Sequence, residues 1–587
     1  MNRKTQVIRF PAWRSRMLLL LLLVGFIVLA GRSFFLQVIN TGFLQAQGDS
    51  RIERVIQLPA HRGMITDRYG EPLAISTPME SIAASPQDVH ISQDQFDQLK
   101  KLLDLSGKEL KEKLYAKRDF IYLKRQIPPV QAKAVKALNI PGVFLQQEYK
   151  RFYPAGEMIA HVIGFTNIND AGQEGVELAY QKWLAGIPGS QLVIKDNRGQ
   201  IIEDAATLKA PIQGHDLSLS IDRRLQYLAF RELAKGVEQS KASSGSIVML
   251  NARTGEILAL ANIPTFNPNN RENLIPGNTR DRAVTDSFEP GSVMKPFLIS
   301  AALKAGKITP QTLIQTAPGY WTVEGRVIHD ADPKGLITVS QVIKYSSNVG
   351  ASKIALMLKP EVMWKLYHSV GFGEVPGSGL PGEVAGDLHP WADWRPINQA
   401  TMSYGNGVSV SLLQLARAYT IFTNGGVLLP VSIIKRTDPP VGQRIISSKI
   451  ASEVRHMMEM VTEPGGTAPN VAIPGYRIAG KTGTAHQAIN GSYANNHYYA
   501  SFVGFAPASN PKFIIAVTIH DPYAKNGNYY GAEVAGPVFR GVMVDALRML
   551  DVPPDAPNQI IAKPQNETVS SGNGNSLAQE KNHAASR

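Results

Sequence analysis

Phe288-Glu289-Pro290-Gly291-Ser292-Val293-Met294-Lys295-Pro296 runs into a mostly apolar segment, Phe297 to Ala305, that stops at Gly306. The stretch reads as a helix. Pro290 and Gly291 break the chain before it, and Gly306 suits the left-handed position after it. Pro296 must then lie in the first turn, where a missing N–H costs little. This puts Ser292 at the helix start and Lys295 three residues on, sharing a face. A serine hydroxyl is a weak nucleophile until a base takes its proton. A lysine in a dry site becomes that base when its pKa is lowered. Unpaired N–H groups at the helix start can hold a developing oxyanion.

The tetrapeptide alone does not establish this chemistry. Ser509-Asn510-Pro511-Lys512 repeats the spacing in a turn before the strand-like Phe513–His520, and no role is expected for it. Read singly, Ser292 is an N-cap serine and Lys295 a surface lysine, so the rest of the chain decides.

At 587 residues the chain is long enough for two or three domains. An apolar fraction of 44% with 19% charged residues fits a globular protein. Cysteine is absent, which excludes disulfides and thiolate metal sites. The twelve histidines are scattered, with no His-Glu-x-x-His pair, so no metal or other cofactor is expected. Gly405-Asn406-Gly407 has the wrong spacing, and no leading strand, for a dinucleotide site. The formal charge of +13 comes without a basic–aromatic cluster, which favours a membrane or an acidic polymer over nucleic acid.

Arg3, Lys4, Arg9, Arg14 and Arg16 precede an unbroken apolar run, Met17 to Ala30, and apolar residues resume from Phe34 to Ile39. The spacing predicts a basic cytoplasmic tail over 1–16 and a transmembrane helix over 17–39, with Arg32 snorkelling. No small-x-small cleavage site follows, so the helix reads as an uncleaved signal anchor with the later chain exported. Residues 40–205 read as a non-catalytic α+β module. It holds a short strand at Leu73–Ile75 and helices at Gln93–Leu105, capped by Ser92 and Gln95, and at Pro129–Leu138. Residues 206–550 form a second region. A strand is expected at Asp216–Ile221, a helix at Asp222–Val237 and a hairpin of Ser246–Leu250 with Glu256–Ala261. Helices follow at Val339–Tyr345, Val349–Leu358 and Leu412–Phe422. An antiparallel set contains Gly480–Ala485, Tyr498–Phe505 and Phe513–His520, with a turn at Asn490-Gly491 and a last helix at Val534–Met549. Residues 551–587 read as a disordered tail.

Ser292-Val293-Met294-Lys295, Ser346-Ser347-Asn348 and Lys481-Thr482-Gly483 occur in that order, at a helix start, in an interhelical loop and on a strand. The trio resembles that of the penicillin-binding proteins and class A β-lactamases. Arg62-Gly63 through Asp67-Arg68 and Gly70, with Leu73-Ala74, is similar to the opening motif of class B penicillin-binding proteins. Tyr153-Pro154, Gly156-Glu157, His161 and Gly164-Phe165 are similar to a later one. Phe288 to Ser292 and Tyr529-Tyr530-Gly531 resemble the division-specific, FtsI-like branch.

The resemblance implies a multidomain α+β fold. A transmembrane helix leads to an extended pedestal of the dimerisation type. A transpeptidase domain follows, an antiparallel sheet flanked by helices plus an all-helical subdomain. It implies a peptidoglycan D,D-transpeptidase of the bacterial inner membrane, with a periplasmic catalytic domain that cross-links stem peptides at the septum and is inhibited by β-lactams. Ser292 would attack a stem pentapeptide ending in D-Ala-D-Ala and release D-alanine. Lys295 would take the serine proton, Ser346 would relay a proton, and Asn348 would bond the substrate amide. Lys481 would lower the pKa of Lys295 by like charge and attract the terminal carboxylate, which Thr482 and Thr484 would hold. Gly483 would keep the strand clear for substrate. The backbone N–H groups of Ser292 and Thr484 would form the oxyanion hole. Partners implied are divisome membrane proteins, including an FtsW-like glycosyltransferase. The competing readings are a β-lactamase using Glu383, a non-catalytic β-lactam receptor or division scaffold, a bifunctional synthase, and an elongation-type class B enzyme.

Overall fold

The computed structural model describes residues 12–42, 53–195, 201–489, 492–523 and 529–557. The expected turn at Asn490-Gly491 and the tail beyond 557 lie outside these residues, as do the first eleven residues of the basic tail.

The N-terminal helix, Ala12–Phe34, continues as a π-helical turn, Phe35–Ile39. It starts before the expected Met17. Its apolar side chains are exposed all round, Leu22 at 69%, Phe26 at 73% and Leu29 at 70%, an arrangement that suits lipid rather than water. The 27 residues Trp13–Ile39 rise about 40 Å, more than the roughly 30 Å hydrocarbon core. The Arg32 guanidinium lies over the Phe35 ring near the end of this span.

The N-terminal module is built on two sheets. Glu53–Leu58, Gly189–Lys195 and Ile201–Lys209 form an antiparallel sheet of three strands. In the other, Pro72–Ala84 is the spine and pairs with Val143–Phe152, Ile121–Ile127 and Ile65–Thr66. The sequence suggested only Leu73–Ile75 here, because Ser76-Thr77-Pro78 breaks the apolar pattern. Pro78 pairs with Tyr149 on one side, while the neighbour on the other side joins only at Glu80, so the proline sits where one flank of the strand is open. The helix Gln93–Leu103 carries the expected capping box between Ser92 and Gln95. Phe96, Leu99 and Leu103 close a small core with Leu110, Leu114 and Leu123. Ile65, Leu73, Tyr153 and Val162 instead join the core of the catalytic domain, which fuses the base of the module to it.

The catalytic domain centres on a five-stranded antiparallel sheet in the order Ile257–Ile263, Ser244–Asn251, Phe513–His520, Ser492–Ala506, Ala479–Ile489. The helices Arg223–Gln239 and Gly531–Met549 pack against it, and the Ser292 turn packs against the edge strand that carries Lys481. Asp222 caps its helix as expected, accepting from Arg224 N. The strand expected over Asp216–Ile221 shrinks to Leu217–Ser218, because Ser220 turns away to bond Ile257, Ser432 and Ile433. The expected helix Leu412–Phe422 breaks at Tyr419 into Leu412–Ala418 and Thr420–Thr423. Thr420 Oγ1 bonds back to Arg417 O, a bond that competes with the helical ladder.

Candidate active site

Ser292 lies in a 3-10 turn, Gly291–Met294, that feeds the helix Lys295–Lys304. Pro296 falls in its first turn and Gly306 has φ +65°, as the sequence required. The turn is held on both sides. Phe288 exchanges backbone bonds of 3.0 Å with Val410, and Tyr419 Oη donates to Val293 O at 2.9 Å. Gly291 has φ +63°, and a methyl there would press on the Thr484 backbone at 3.2 Å.

The structure brings the three elements together. Lys295 Nζ is 2.9 Å from Ser292 Oγ, 3.1 Å from Ser346 Oγ and 2.8 Å from Asn348 Oδ1, and it also bonds Ser346 O. Lys481 Nζ is 2.8 Å from the same Ser346 Oγ and 3.1 Å from Thr482 O. Both amines are fully buried. Burial, and then the like charge of Lys481, drives the Lys295 pKa well below the ordinary lysine value, while Asp330 pulls it back. Burial in a dry site is the larger of the two causes and the charge of Lys481 the smaller. Burial also lowers Lys481, to about 7.

A neutral Lys295 has two N–H bonds and one lone pair. Ser346 O can only accept. Asn348 Oδ1 can only accept as well, since Nδ2 donates to His329 O at 3.0 Å and fixes the amide's orientation. These two neighbours therefore take both protons of the amine. The lone pair is left to the hydroxyls, of which Ser292 Oγ is the nearer. The arrangement is that of a base already turned toward its nucleophile. These two bonds use one donor and one acceptor site of the Asn348 amide, which leaves a second N–H and a second lone pair for the substrate contact expected of it.

The Ser346–Asn348 loop is held by a residue that sequence reasoning missed. Asp330 accepts from Ser347 Oγ at 2.7 Å and from Val349 N at 2.9 Å. These bonds help keep Ser346 at φ +58°, a conformation a serine rarely adopts. No spacing rule links an aspartate to a serine seventeen residues on, so no local signal could have found it.

On the edge strand, Thr482 Oγ1 lies 3.3 Å from Lys481 Nζ and 3.2 Å from Thr467 Oγ1, and Thr484 Oγ1 accepts from Gly531 N at 3.1 Å. A Cβ on Gly483 would meet Pro290 O at 2.7 Å and Val293 Cγ1 at 3.1 Å, so the glycine makes room for the Ser292 turn. Tyr498, Tyr529 and Tyr530 stack in series beside this strand, with ring centroids 4.1 and 4.5 Å apart. Ser509, Asn510 and Lys512 of the second Ser-x-x-Lys are exposed in a surface turn. Glu383 caps a loop by accepting from Gly377 N and Ser378 N, which is the work of a structural carboxylate. Among the described residues no cluster of His, Asp and Glu is arranged to hold a metal ion.

Two family models match the chain. One describes a penicillin-binding protein dimerisation domain over residues 57–219, the other a penicillin-binding protein transpeptidase domain over residues 245–544. The chain is 45% identical over 549 residues to the probable peptidoglycan D,D-transpeptidase PenA of Neisseria gonorrhoeae, covering 93% of this chain and 94% of that protein. It is 42% identical over 565 residues to the peptidoglycan D,D-transpeptidase FtsI of Escherichia coli, covering 94% and 95%. Among solved structures, a peptidoglycan synthetase of Bifidobacterium adolescentis aligns with TM-score 0.68 and 26% identity over 86% of this chain and 98% of its own. The transpeptidase domain of Burkholderia pseudomallei penicillin-binding protein 3 is 46% identical over 57% of this chain and 97% of its own, with TM-score 0.53. This chain belongs to the class B penicillin-binding proteins and is a peptidoglycan D,D-transpeptidase. With its N-terminal apolar helix it is a single-pass inner-membrane protein.

Proposed function

We propose that the enzyme works through an acyl-enzyme on Ser292 with Lys295 as the base. The observation that carries this reading is a buried amine, its charge disfavoured, 2.9 Å from the serine hydroxyl. Lys295 takes the Ser292 proton as Oγ attacks the penultimate D-alanine carbonyl of a stem peptide. The N–H groups of Ser292 and Thr484 hold the oxyanion, where one such donor is typically worth about 2.7–4 kcal/mol. The tetrahedral intermediate breaks its C–N bond. Ser346, which touches both lysines, passes a proton to the departing D-alanine amine. Lys481 gains a full charge as the substrate carboxylate arrives, since an anion beside a buried amine favours its protonated form. Thr482 and Thr484 bind the same carboxylate. The amine of a neighbouring stem then attacks the acyl-enzyme and restores Ser292.

A β-lactam would acylate the same serine and stay. The Mycobacterium tuberculosis penicillin-binding protein 3, 27% identical to this chain with TM-score 0.67, is known in complex with aztreonam, which supports this reading. A septal role, with an FtsW-like membrane partner, is supported by similarity to FtsI across most of both chains. The basic residues before Met17 support a cytoplasmic N-terminus and a periplasmic catalytic domain.

Labelling with a fluorescent penicillin tests the site. Wild type should label, and Ser292→Ala should not, while remaining folded. Full labelling of the folded variant would remove Ser292 from the mechanism. Rescue of an Escherichia coli strain depleted of FtsI separates the division role from an elongation role.

A further inference from the structure

We infer that Thr467 is a positioning residue for carboxylate recognition, turning the Thr482 hydroxyl toward the terminal carboxylate of the substrate. The inference rests on the transpeptidase reading above. Thr467 lies in the loop Glu463-Pro464-Gly465-Gly466-Thr467-Ala468, between the helix Ser448–Glu459 and the strand that carries Lys481. Its hydroxyl is 3.2 Å from Thr482 Oγ1.

The loop is built to put it there. Gly466 N donates to Glu463 O and Ala468 N to Val461 O, each at 2.9 Å. A Cβ on Gly466 would stand 2.3 Å from Val461 O, so the tight turn accepts only glycine. Thr462 Oγ1 donates to Ile478 O at 2.9 Å and ties the loop to the start of the Lys481 strand. Ala468 is fully buried, and Asn470 Nδ2 donates to Ala532 O at 2.7 Å, which fixes the far end.

Counting donors gives the role. A threonine hydroxyl has one proton and two lone pairs. Lys481 Nζ, 3.3 Å away, takes one lone pair of Thr482 Oγ1. When Thr467 donates to the other, the single Thr482 proton is left for a third partner, and the group due in this part of the site is the substrate carboxylate. Thr484 has the same arrangement from a different source, since its oxygen accepts from Gly531 N and its proton is also left over. The backbone donor beside Thr484 could be deleted only by proline, and a Cβ on Gly531 would stand 2.3 Å from Ser501 O. The donor beside Thr482 is a side chain and can be deleted cleanly.

The experiment measures second-order acylation rates of the detergent-solubilised full-length enzyme, using a chromogenic cephalosporin and its analogue with the carboxylate replaced by a carboxamide. Thr467→Val should slow acylation by the carboxylate reporter roughly tenfold, the scale of one lost bond to a charged group. The carboxamide reporter should change by less than about twofold. Thr467→Ser should restore the wild-type preference. Thr467→Ala serves as the hydroxyl deletion if the valine variant does not fold. Equal loss on both reporters, no loss on either, or no rescue by serine would overturn the inference. Wild type that neither reporter acylates would overturn the acyl-enzyme reading on which it rests.

Discussion

Two regions of this molecule bury charge-bearing side chains almost completely, and they handle the charge in opposite ways. In the N-terminal module, Arg62 and Arg151, each 1% exposed, share the carboxylate of Glu177. Arg62 Nε donates to one oxygen at 2.7 Å and Arg151 Nε to the other at 2.6 Å. Further Arg62 bonds go to Gln181 Oε1 and to the backbone of Asp170 and Glu177. In the catalytic domain, Lys295 and Lys481 are just as buried, but their neighbours are hydroxyls, carbonyls and an amide. Asp330 reaches Lys295 only through its field. A guanidinium cannot shed its proton, so burial forces it to find a carboxylate. An amine can, so burial without a carboxylate turns it into a base. The first cluster ties three segments of the pedestal together, and the second is the one we propose does the chemistry.

The largest expected effect comes from removing that choice. Lys295→Arg keeps a positive charge that cannot be given up, and Lys295→Ala has no base. Both should acylate about 10²–10⁴-fold more slowly than wild type, the usual contribution of a positioned general base. Stopped-flow acylation measures it, and an arginine variant within a few-fold of wild type would break the contrast. In the pedestal, Glu177→Gln strands two guanidinium groups. Removing one partner of a buried ion pair costs about 3–5 kcal/mol, so denaturant unfolding should register a loss of that size. Acylation per folded molecule should hardly change.

Lys481→Met sharpens the same point with a pH sign. The folded pKa of Lys481, about 7, lies below its ordinary 10.5. Between those values the unfolded chain binds more protons than the folded one, so stability rises with pH across the window. The methionine variant should therefore be more stable than wild type at pH 7, by a few kcal/mol at most, while acylating poorly. The gain should fade as pH approaches 10.5, and a gain independent of pH would mean that Lys481 keeps its proton on folding. Smallest is Gly483→Ala, which should cost about 1–3 kcal/mol by overpacking against Pro290 O.

The same contrast explains what the sequence could and could not tell. Ser292, Lys295, Ser346, Asn348 and Lys481 were legible because each belongs to a short element whose order and local context are themselves the signal. The helix caps at Ser92 and Asp222 were legible for the same reason, since a cap is decided within four residues. Arg62 belongs to a motif legible in the sequence, but its pairing with Glu177 spans 115 residues and leaves no periodic trace. Asp330 and Thr467 act from loops through contacts to residues outside their own local segments, which no propensity encodes. The length of the strand Pro72–Ala84 was hidden because its middle is polar and contains a proline that only pairing geometry excuses.

In the proposed mechanism Lys295 is uncharged when substrate arrives, and the pH dependence of acylation reads that state directly. Stopped-flow acylation of wild type by a reporter β-lactam should rise from acid pH and stop rising well below the ordinary lysine value of 10.5. A rate that keeps climbing through pH 10 would show an amine with ordinary affinity for its proton and would contradict Lys295 as the base.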